Sequence, residues 1–134
     1  MGLLDIFYNE LNRIRNKKQS EEKKRDEIYH LLKKWLRRFI IDWEQFIDAN
    51  HEYFYNKTEL FYATYRENLL DILVEIEEFL DEDIIFQLKE ICDILEKGKN
   101  TVSAIGKTAY DDRKKYGDKA KEICENVINK INSL

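Results

Sequence analysis

The chain has 134 residues, with four glycines and no proline, where average usage would give roughly nine and seven. Sandwiches, barrels and turn-rich α/β folds use these residues at their corners, so the composition argues against them, and the length suits a single domain, residues 1–134. Hydrophobic residues make up 43% and charged residues 37%, enough for a core inside a solvated surface. The expected fold is all-α, a bundle of four to five mostly antiparallel amphipathic helices.

The first element runs from Leu3 to about Lys18, with Leu3, Leu4, Phe7, Leu11 and Ile14 on one face and Arg13, Arg15, Lys17 and Lys18 at its end. Cations there oppose the negative end of the helix dipole. Residues 1–18 form an amphipathic helix that packs on the bundle or on a second copy; a separable helix lying on an anionic membrane surface is the alternative. Ser20, followed by Glu21 and Glu22, reads as the N-cap of the next helix.

From Ser20 to about Tyr55 the residues Ile28, Leu32, Trp35, Leu36, Phe39, Ile40, Trp43, Phe46, Ile47 and Phe54 advance at helical period. Unbroken, this principal helix would be about 54 Å long. Asn50 falls within its stripe, so a kink or the bundle end is expected there, and Asn56 with Glu59 resembles a capping box for a helix from about Thr58 to Leu80. A corner is expected at residues 80–83. A further helix, capped by Asp81 or Asp83, should end at Gly98, because glycine is favoured just past a helix end. The last segment, from Asn100 to Ile131, has a thinner stripe. Its Gly106 and Gly117 mark either a marginal helix or a place where two helices approach closely.

Charge is segregated along the chain: residues 1–40 carry net +5, residues 41–96 net −13 and residues 97–134 net +4. Basic and acidic helices lying side by side would explain this. The functional reading is an acidic face at Glu75, Glu77, Glu78, Asp81, Glu82 and Asp83 that attracts a basic partner. Six aromatic residues between Tyr53 and Tyr65 either plug the bundle end or present a corner, with Tyr53 and Tyr55 its outward candidates.

No recognised catalytic or phosphate-binding motif is present. Glu27 with His30 and Asp48 with His51 have the spacing of paired metal ligands, but in one continuous helix the two sets would stand about 31 Å apart. Neither metal nor cofactor is expected. Cys92 and Cys124, each beside an isoleucine, read as small buried groups in a reducing cytoplasm. Nucleic-acid binding by Arg13 to Arg38 is opposed by the interspersed acids and the net charge of −4. The expectation is a non-catalytic protein-protein interaction module, a small regulator, adaptor or inhibitor, with a homodimer as one form and a peripheral membrane protein as the alternative.

Overall fold

The computed structural model describes residues 3–101 and 109–134, as five helices and, among the described residues, no strand. They are α1 (Leu3–Asn16), α2 (Glu21–Ile47), α3 (His51–Ile76), α4 (Glu82–Asn100) and α5 (Ala109–Asn132), with a 3₁₀ turn at Glu77–Phe79. The side chains of residues 3, 51, 52, 55 and 109 also lie outside the described set.

Local chemistry explains where α2 and α3 start, whereas Asp81 precedes α4 without a side-chain cap bond. The Ser20 hydroxyl accepts from the Lys23 N–H at 3.2 Å, and Glu21 and Glu22 follow in the first turn of α2, where the dipole favours acids. The expected helix from Ser20 to Tyr55 is in fact two. α2 stops at Ile47, and the Asn50 side chain caps α3 by accepting from the Tyr53 N–H at 2.8 Å. The cap is therefore Asn50 and not Asn56. Starting α3 at His51 places Phe54 inside a helix, where its ring is fully buried. The corner at Leu80–Asp81 is present, and the Asp81 N–H donates to the Tyr29 hydroxyl at 2.7 Å, which ties the turn to α2.

Inter-helix pairs give the directions. Arg66 of α3 meets Glu96 of α4, Lys130 of α5 meets Asp83 of α4, and Lys121 of α5 meets Glu44 of α2. With the bond from Lys33 of α2 to Asn132 of α5, and the approach of Gly98 of α4 to Tyr62 of α3 and Tyr116 of α5, residue numbers rise along one helix as they fall along its neighbour, as an antiparallel bundle requires. The core is the set of apolar residues at helical spacing, including Leu32, Phe39, Ile72, Leu88 and Val127. α1 is a fifth helix on the outside of this bundle. Its Phe7, Leu11 and Ile14 are buried, and Arg15 donates to the Glu75 carbonyl at 2.7 Å and the Glu75 carboxylate at 3.0 Å.

Both glycines of the described chain are close-contact residues. Gly98 does not end α4, which continues to Asn100; a Cβ there would stand 2.8 Å from the Tyr62 ring and 2.9 Å from Tyr116 Cβ. At Gly117 it would stand 2.2 Å from the Trp43 ring. Of the two readings of Gly117, close helix approach is the one realised; Gly106 lies outside the described residues. The Tyr62 ring touches the Gly98 site, and its hydroxyl donates to the Arg113 carbonyl and accepts from the Gly117 N–H at 3.1 Å. Those two backbone groups are one helical step of α5, so α3 is bonded directly into the backbone of α5.

Both cysteines are free and buried. Burial pushes the Cys92 thiol up to about 11 and raises that of Cys124 as well. At pH 8 roughly one Cys92 in a thousand is the reactive thiolate. Native protein should therefore resist a thiol-reactive disulfide reagent at pH 8, whereas both thiols should react at once in denaturant. Rapid labelling of the native chain would contradict this packing.

Candidate functional site

Three surfaces hold the residues singled out from the sequence. The first is the corner between α3 and α4, where the acidic segment is divided by its neighbours. Glu75 is engaged by Arg15 of α1. Asp83 is 3.2 Å from Lys130, whose hydrogen bond holds its carboxyl below the ordinary range. Because that pKa is depressed, the stability the pair lends is present above the ordinary carboxylate value and lost as pH falls through the lowered one. Glu77, Glu78, Asp81 and Glu82 are exposed and, among the described residues, have no cation within 4 Å. The alternation of basic and acidic helices is thus realised in part: Arg15–Glu75, Lys121–Glu44 and Lys130–Asp83 all join a basic segment to the acidic one. Four acids at the corner are left over.

The second surface is the aromatic end at the α2–α3 turn. Phe54 and Tyr62 are fully buried, while Phe61 and Tyr65 are half-buried against Phe39, Trp43 and Phe46. The Tyr65 hydroxyl donates to Asp42, whose other oxygen is 2.9 Å from Arg38. Burial raises the Tyr65 phenol, and the bond to Asp42 raises it further. Tyr53 is 49% exposed, with its ring 5.8 Å from Phe46, and the Tyr55 side chain lies outside the described residues. An open groove of about 210 Å³ runs here between Phe46, Tyr53, Lys57, Leu60, Phe61 and Tyr65. Most of the cluster is therefore a plug, with Tyr53 at its rim. The acidic corner and Tyr53 sit at opposite ends of α3, about 36 Å apart at 1.5 Å per residue. They do not form one surface.

The third is a groove of about 370 Å³ between α1 and α2, which sequence reasoning did not anticipate because it arises from how α1 seats. Ile14 and Leu31 lie in it beside Glu10, Arg13, Asp26, Glu27, His30 and lysines 23 and 34. Part of its charge is answered. Glu10 pairs with Arg13 at 3.0 Å. Glu27 accepts from Gln19 at 2.6 Å and Lys17 at 3.2 Å, which hold its carboxyl below the ordinary range; a carboxylate so stabilised is a weak general base. Glu27 and His30 share this groove, Asp48 is exposed beyond the end of α2, and the His51 side chain is outside the described residues. No cluster of three metal-ligating side chains occurs among the described residues.

α1 directs its apolar face inward, with Phe7 3%, Leu11 1% and Ile14 2% exposed. No helix among the described residues is long and apolar enough to cross a membrane. Comparison of the chain with known family models, with curated proteins and with solved structures returns no match.

Proposed function

We propose that this chain is a non-catalytic protein-protein interaction module, a small regulator, adaptor or inhibitor, whose α3–α4 corner receives a basic partner. The observation that carries the reading is the cluster of four exposed acids, Glu77, Glu78, Asp81 and Glu82, within six positions at one corner, with no cation within 4 Å of them among the described residues. Unpaired like charges on a rigid corner repel one another. Their field draws in a cationic surface and turns away an anionic one, so it acts on encounter rate and choice of partner more than on affinity. The two free, buried thiols fit a reducing compartment, the cytoplasm.

Tyr53, at the far end of α3, belongs to a separate contact or to none. A membrane role for residues 3–18 would require α1 to leave its seat and uncover Leu31 and Trp35, which line the space beside it, so the packing of α1 favours the protein-binding reading.

Reversing Glu77, Glu78 and Glu82 to Lys tests the proposal. The helical circular-dichroism signal should persist, because all three side chains are exposed. Capture of the native partner should fall about tenfold or more at low salt and far less at high salt, where surface charge is screened. Capture that is unchanged at low salt would remove the acidic corner from the interface.

A further inference from the structure

Beside the acidic corner, the outward side of the α3–α4 hairpin carries large apolar side chains that the bundle does not use. Val74 is 77% and Phe86 71% exposed. Helical spacing groups them with acids: Asp71 and Glu78 lie three before and four after Val74, and Glu82 and Glu90 lie four before and four after Phe86. Lys89 is the one exposed base on this stretch of the hairpin among the described residues. Leu60, fourteen positions before Val74 on the same side of α3, is 62% exposed.

We infer, resting on the acidic-corner reading, that the occupant of this face is a basic amphipathic helix of another protein, lying along the α3–α4 hairpin with its apolar stripe on Phe86 and Val74 and its cations toward Glu78 and Glu82. Charge complementarity sets the sign of the partner. The apolar anchors set its amphipathic character, because a polycation alone leaves Phe86 in water. The molecule already seats one helix in this manner: α1 buries Phe7, Leu11 and Ile14 against the bundle while Arg15 at its end grips Glu75.

The test uses the full chain and a synthetic helical peptide of about 18 residues with leucines on one face and lysines on the other. The controls are the same pattern with glutamate for lysine and a leucine-free oligolysine of equal charge. Binding is followed by calorimetry and by amide NMR at about 0.1 M salt. The amphipathic cation should bind one-to-one, with its footprint on the amides around Val74 and Phe86. Phe86→Ala should weaken it about tenfold, oligolysine should bind at least as weakly as that variant allows, and Ile41→Ala, at an exposed residue of α2, should change nothing.

Binding unaffected by Phe86→Ala, oligolysine as tight as the amphipathic peptide, or a footprint elsewhere would each overturn the inference. If charge reversal at the corner abolishes native capture while Phe86→Ala does not, the acidic-corner reading stands and the amphipathic occupant falls. If Phe86→Ala acts and charge reversal does not, the acidic reading falls and takes the basic character of the occupant with it. A dimer by light scattering that Phe86→Ala dissociates would replace the proposed occupant with a second copy.

Discussion

Gly117→Ala should destabilise the fold by about 3 kcal/mol, although helix propensity alone would make alanine better here by about 1 kcal/mol. The new methyl carbon would stand 2.2 Å from two atoms of the Trp43 ring and 2.5 Å from a third, well inside any contact a carbon can make. The indole has nowhere to retreat. It is fully buried, stacked on Phe46 and Tyr62 at 6.0 and 5.8 Å, and its Nε1–H donates to Asp118 at 3.0 Å. Relief requires α5 to move outward, which strains the bonds from Tyr62 to Arg113 and Gly117 and the 2.9 Å pair of Lys121 with Glu44.

The measurement is urea unfolding followed by circular dichroism, with a thermal midpoint lowered on the order of 10 °C as its companion. Trp43→Phe in the same background removes the ring atoms that clash, so the alanine should then do much less harm. The coupling between the two sites should exceed about 1 kcal/mol. A single Gly117→Ala variant as stable as the parent would mean that α2 and α5 are not held at this distance.

How far such contacts can be read from a sequence depends on the range of the interaction that sets them. The Ser20 cap is local: a hydroxyl and two following acids are all it needs. The stripes Ile28 to Phe46 and Ile84 to Leu95 are legible for the same reason, since helical period shows the buried side without naming what covers it. The α2–α3 break misleads because the local signal points to the wrong asparagine. Asn56 has the Glu three residues on, whereas Asn50, which caps α3 by accepting from the Tyr53 N–H, has no such capping-box partner.

Gly98 is a similar case. Read along the chain it resembles a helix end, but Tyr62, 36 positions earlier, occupies the space a side chain would need. Charge shows the same division. The acidic run was visible, yet which acids are answered depends on Arg15 and Lys130, far away in sequence. Val74 and Phe86 mark the limit of such reading: their exposure follows from the packing of α3 and α4, and no local rule distinguishes a stray apolar side chain from an anchor.

Leu11→Ala decides whether α1 is part of the cooperative fold, and the expected loss is about 3 kcal/mol. Leu11 is 1% exposed and sits between Phe7 and Ile14, both of them buried. Removing its branch leaves a void that α1 cannot close by settling inward, because Arg15 at the end of the helix is held on Glu75, and Lys24 of α2 donates to the Arg15 carbonyl at 3.4 Å. If α1 is integral, the unfolding curves from tryptophan emission and from helicity should shift together and still coincide. Trp35 is the useful reporter, since it is 1% exposed and lines the space beside Ile6 and Phe7; undocking of α1 would wet it and shift its emission to longer wavelength before the bundle melts. A two-step curve of that kind, with flotation of the parent chain on anionic vesicles, would make residues 3–18 a detachable membrane segment. Coincident curves and no flotation would keep the apolar side of α1 where Phe7, Leu11 and Ile14 now lie, inside the protein.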